Sequence, residues 1–103
     1  MTMLHDDVKT HLDVLGEAWE IFQEKNELRG DMWRDFPPSD KLREVRERCH
    51  RMERTYEQFK FELPPEGPED PYKTFRGAAI NDALDTINYL VFFIRQLREG
   101  QRG

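Results

Sequence analysis

Two carboxylates and two carboxamides fall within one short stretch, INDALDTINYLVFFIRQL, running from Ile80 to Leu97. On a helix, Asn81, Asp82, Asp85 and Asn88 form one polar arc about a turn apart. Carboxylates three residues apart on a helix project the same way and can share a hard divalent cation such as Mg²⁺. The same acids could instead be ordinary helix acids held by the dipole, although they sit two to three turns inside, where that benefit has faded. A second acidic set, Glu17, Glu20, Glu24 and Glu27, follows spacings of three, four and three. These residues either contribute further ligands or form a solvated acidic face. Asn26 falls in the apolar stripe of the same segment, one turn after Phe22. An inward-facing carboxamide there needs hydrogen-bond partners, from a ligand or from loop backbone.

Other reactive residue types form no pattern. His5, His11 and His50 have no metal spacing with one another or with Cys49. No Gly-rich phosphate loop or nucleophile elbow is present. Cys49, the sole cysteine, excludes an intramolecular disulfide and is predicted to be a small core residue.

The elements that must position the arc are helical. Val8, Leu12, Leu15, Trp19 and Phe22 make one apolar stripe on a helix expected over about 5–29, closed by a C-cap at Gly30. Pro37-Pro38 forbids continuation, and Ser39 is the expected N-cap of a second helix over 39–61. Leu42, Val45, Cys49, Met52, Tyr56 and Phe59 give that helix a coiled-coil-like seam. A Pro-rich loop over 63–73 precedes a third helix over 74–99, capped by Thr74 and followed by a tail expected to fray. On the third helix Ile80, Ala83, Leu84, Ile87, Leu90, Val91 and Ile94 share one face. The polar arc opposite is continued by Tyr89, Phe92 and Phe93. Both sides call for burial, which predicts a subunit interface beside a pocket over the arc. The 103 residues therefore read as one all-α domain, an antiparallel bundle of three main helices completed by oligomerisation.

Charged residues form 36% of the chain and the net charge is −5, which disfavours a sequence-independent duplex binder; no sequence-specific nucleic-acid partner is expected. The start MTMLHDDVK lacks the pattern of a signal peptide, and the apolar run Tyr89 to Ile94 is too short to span a bilayer. A cytoplasmic protein with no membrane partner is the expectation.

Three segments together resemble a family. KNELRGDMW, Lys25 to Trp33, resembles the KNxxYGxxW-type signature of nucleotide-modification-associated domain proteins, small phage and bacterial relatives of the MazG-like all-α nucleoside triphosphate pyrophosphatases. LREVRERCHRMER, Leu42 to Arg54, resembles their second helix, with Glu47, Arg48 and Arg51 at the matching positions. DTINY, Asp85 to Tyr89, matches a DxxNY-type element of the last helix. The resemblance implies a Mg²⁺-dependent nucleotide binder that splits a (d)NTP into a nucleoside monophosphate and pyrophosphate. It implies Glu20, Glu24, Glu47, Asp82 and Asp85 as the metal set, with Glu20 and Glu47 at the reacting water. Lys25, Arg48 and Arg51 would then hold phosphate oxygens, and Asn26 and Asn88 would orient the sugar or base. Trp33 would stack on the base, or close the core as a loop aromatic. The chain departs from the pattern where Arg29 replaces the signature tyrosine and where Asp82 replaces a glutamate. The rival reading is a non-catalytic helical module, such as a small phage protein acting on a host partner, using the second-helix seam and the LVFFI run.

Overall fold

The computed structural model describes residues 2–30, 32–62 and 70–103, with side chains from residue 9 onward. The all-α expectation holds. Helix α1 spans Thr2–Arg29, a 3₁₀ turn spans Met32–Asp35, α2 spans Pro38–Phe59 and α3 spans Phe75–Arg98, with no strand among the described residues. Most of the expected loop, residues 63–69, lies outside the described residues.

Local chemistry sets the breaks. Gly30 adopts φ +61° and its N–H donates to Asn26 O at 2.7 Å, the left-handed cap expected there. Thr74 caps α3, its Oγ1 accepting from Gly77 N at 2.9 Å. Ser39 is not the N-cap of α2. Pro37 takes that position without a side-chain bond, and Ser39 N donates to Gly103 O at 3.0 Å. The tail expected to fray is docked by that bond and by Gln101 N donating to Gln96 O.

Helix α2 runs antiparallel to α3, because Lys41 and Gln96 reach the same carbonyls at one end while Arg51 meets Asp82 further along. Their interface is the more extensive; α1 meets α3 over a shorter stretch. The face α3 turns inward is the polar one. Asp82, Asp85, Thr86 and Gln96 are buried, with Tyr89, Phe92 and Phe93 half-buried among them. On the opposite side Leu90, Val91, Ile94 and Leu97 are 41–52% exposed. Among the described residues only Ala18 and Leu84 are buried hydrophobics.

Two predicted stripes are displaced from the true packing faces. In α1, Leu12, Leu15 and Trp19 are exposed, and the residues turned to α3 are Ala18, Phe22 and Asn26. In α2 the inward row is Lys41, Val45, Arg48, Met52, Thr55 and Phe59, so Cys49 is exposed rather than in the core. The radius of gyration, 15.8 Å, exceeds the roughly 13 Å of a compact chain of this length, as expected when so little apolar surface is enclosed.

Candidate functional site

The sequence brings three chain breaks to one end of the fold: the end of α1, the 3₁₀ turn and the start of α2. Between them and the middle of α3 lies a cavity of about 280 Å³. Phe22, Trp33, Phe36, Tyr89 and Phe92 supply its apolar walls. Lys25, Asn26, Asp85 and Asn88 supply polar groups, joined by Arg29, Lys41, Arg43 and Glu44. Five residues expected at a ligand site, Lys25, Asn26, Trp33, Asp85 and Asn88, therefore meet here.

Two of them carry unmet hydrogen-bonding capacity. Asn26 Oδ1 and Trp33 Nε1 are buried without a partner, one an acceptor and the other a donor. Buried polar groups of this kind are uncommon because each costs the desolvation it does not recover. Asn88 is partly engaged, its Nδ2 donating to Ala18 O at 2.9 Å. Trp33 is already covered: Phe92 stacks on it at 4.5 Å and 12°, and the Arg34 and Arg95 guanidinium carbons lie 4.5 and 4.8 Å from its centroid. This matches the loop-aromatic alternative, with the indole N–H enclosed and unpartnered.

The acids and bases expected to hold metal and phosphate are mostly paired with one another or stand elsewhere. Asp85 accepts from Lys25 Nζ at 2.7 Å, so one acid and one phosphate-binding base of the expected site neutralise each other. Asp82 is gripped by Arg51 through both carboxylate oxygens. This bond raises the Arg51 pKa above its ordinary value. Arg48 pairs with Glu44 one turn earlier and lies 4.4 Å from the Tyr89 centroid. Glu20 and Glu24 line a separate surface depression with Glu17 and Asn81. Glu47 is exposed on α2. Among the described residues, no three Asp, Glu, His or Cys side chains come together as a metal site. With Asp82 and Asp85 each held by a cation, the carboxylates of one chain do not fit a Mg²⁺ ion in this arrangement. The polar arc acts here as a set of ties from α3 to both other helices.

Sequence reasoning missed Lys41. It is 3% exposed, donates to Trp33 O at 2.7 Å and Phe36 O at 3.1 Å, and burial pushes its pKa down. Gln96, fully buried, donates to Phe36 O at 2.8 Å from the other side. These two side chains satisfy the carbonyls that the Pro37-Pro38 break leaves without helical donors. The available signal was the spacing 41, 45, 48, 52, an inward row that shares Val45 and Met52 with the apolar seam and replaces Leu42 and Cys49 by Lys41 and Arg48.

None of the described helices is long and apolar enough to cross a membrane. The chain matches none of the protein families, curated proteins or solved structures with which it was compared.

Proposed function

We propose that the cavity between α1, the 3₁₀ turn and α3 binds a nucleotide, with the base inside and the phosphates toward Arg29, where they would compete with Asp85 for Lys25 and with Asp40 for Arg43. The observation that carries this reading is the pair of unpartnered buried groups, Asn26 Oδ1 and Trp33 Nε1. Both residues line the aromatic-walled cavity, and an unmet donor and acceptor at its wall suit the edge of a heterocyclic base, which offers both, once the two side chains turn toward it. The likeness of KNELRGDMW and DTINY to nucleotide-processing proteins points the same way. The proposal stops at binding. Hydrolysis and the Mg²⁺ dependence that accompanies it would need Glu20, Glu24, Glu47, Asp82 and Asp85 to gather, and they stand apart.

A thermal-shift series over nucleosides, nucleoside mono- and triphosphates, with and without Mg²⁺, tests the reading. A ligand at a hundred times its Kd adds about 2.7 kcal/mol of apparent stability. The expected result is a shift with a nucleotide that falls away in Asn26→Ala and weakens in Lys25→Ala. Pyrophosphate release is then assayed on whichever triphosphate binds. The absence of a shift with every nucleotide would sink the proposal and leave the helical interaction module, which the exposed aliphatic face of α3 favours.

A further inference from the structure

The outward face of α3 is built as a helix-pairing seam. Ile80, Ala83, Ile87, Leu90, Ile94 and Leu97 alternate spacings of three and four over almost the whole helix, and each is half-buried or exposed. A period of 3.5 is what two helices need to keep apolar seams in register along their length. Helix α2 carries its own exposed row at heptad spacing, Leu42, Cys49 and Tyr56. On the α2 wheel this row lies past Val45 and Met52, opposite the side where Lys41 and Glu44 line the cavity. It therefore falls on the same side of the α2–α3 layer as Leu90, Ile94 and Leu97, away from α1, while Ile80 at the other end of the α3 row lies beside Glu17 and Glu20 of α1.

We infer that this surface is covered by a second copy of the chain, in a two-fold dimer that stacks α2 on α2 and α3 on α3, each pair antiparallel. The reason for a second copy rather than a foreign helix is threefold. First, a layer of two helices about 33 Å long and about 20 Å wide presents roughly 650 Å² of flat footprint. That approaches the ~800 Å² per partner of stable interfaces. Second, Arg46 and Glu53 flank Cys49 near the middle of α2, three residues before it and four after. Antiparallel self-pairing centred there sets Arg46 of each copy toward Glu53 of the other, a rim that complements itself. Third, the described part of a single chain buries little aliphatic surface, as subunits that complete their core by association do. The dimer supplies the aliphatic core that the polar inner face of α3 does not. The cavity lies on the opposite side, so this inference stands apart from the nucleotide proposal.

The test combines mass in solution with the chain's single thiol. Sedimentation equilibrium of the full chain at 1–100 µM loading, order-of-magnitude concentrations chosen to span ordinary homodimer affinities, should give twice the 12.4 kDa chain mass. Cys49, freely exposed in one chain, should react slowly with a bulky maleimide in the dimer. The substitution Ile94→Glu should shift the equilibrium at least tenfold toward monomer, or unfold the chain. The control Trp19→Glu, on exposed α1, should leave the dimer intact. A monomer throughout the range would overturn the inference. So would a dimer in which Cys49 stays fully reactive, or one broken by Trp19→Glu and not by Ile94→Glu.

Discussion

Arg51 holds Asp82 with two hydrogen bonds, one to each carboxylate oxygen, its Nε standing 2.8 Å from Oδ2. Asp82 is buried, while the Arg51 side chain remains half exposed. The pair thus ties α2 to α3 at the edge of solvent and occupies the acid that spacing offered to a metal.

Removing one partner is expected to cost more than replacing both. Arg51→Met strands a buried carboxylate and should lower stability by about 1–3 kcal/mol, toward the lower end because solvent screens the exposed guanidinium. Arg51→Met combined with Asp82→Leu should recover much of that loss, since a matched apolar pair needs no compensation. Urea midpoints for the single and double variants measure both effects. Equal loss in the two would show that packing, not the ion pair, dominates.

Lys41 makes stability depend on alkaline pH in a defined direction. Its folded-state pKa lies below the ordinary lysine value near 10.4. In the window between, the unfolded chain binds a proton that the folded chain has released, so folding becomes more favourable as pH rises through it. Lys41→Met should remove that contribution. Comparing urea unfolding of parent and variant at mildly and strongly alkaline pH isolates it from other titrating groups, and identical slopes would argue against a depressed Lys41.

Gln96 and Lys41 share the carbonyl of Phe36, and Gln96 alone is fully buried. Gln96→Leu should cost about 1–3 kcal/mol by leaving Phe36 O under-satisfied and Gln101 Oε1 without its 2.9 Å donor. Hydrogen exchange at Ser39 and Gln101 should accelerate more than at the middle of α1.

Two glycines should respond to alanine with opposite signs. A Cβ at Gly77 would stand 2.5 Å from Asp70 O and 2.8 Å from Thr74 Oγ1, against the backbone that starts α3. Gly77→Ala is expected to destabilise by about 1–3 kcal/mol. Gly16, inside α1, has nothing within 4 Å of that position. Gly16→Ala should stabilise by about 0.5–1 kcal/mol through helix propensity. Thermal unfolding of the two variants side by side settles the comparison.

The breaks and two of the three expected caps were legible because they depend on a few adjacent residues, whereas Ser39 was displaced by Pro37 as the N-cap of α2. Gly30 ends α1, Pro37-Pro38 separates α1 from α2, and Thr74 opens α3, each through a conformational or hydrogen-bonding preference that acts within one turn. The two faces of α3 were legible too, since periodicity alone sorts Ile80 to Leu97 into an aliphatic side and a polar side. Lys25, Asn26, Trp33, Asp85 and Asn88 could also be picked out as candidates for one site by type and position.

Which side of α3 would turn inward was decided only in three dimensions. Asp82, Asp85 and Asn88 are satisfied by Arg51, Lys25 and Ala18 O, which lie 31, 60 and 70 residues away in the chain. With those partners in place a polar face can be buried without stranding its charges, and the aliphatic residues Leu90, Val91, Ile94 and Leu97 are left outward, while Leu84 is buried. The same pairing drew Asp82 and Asp85 away from the cation that their spacing suggested. Local periodicity determined what each face of this protein is made of; the supply of distant hydrogen-bond partners determined which face the fold encloses.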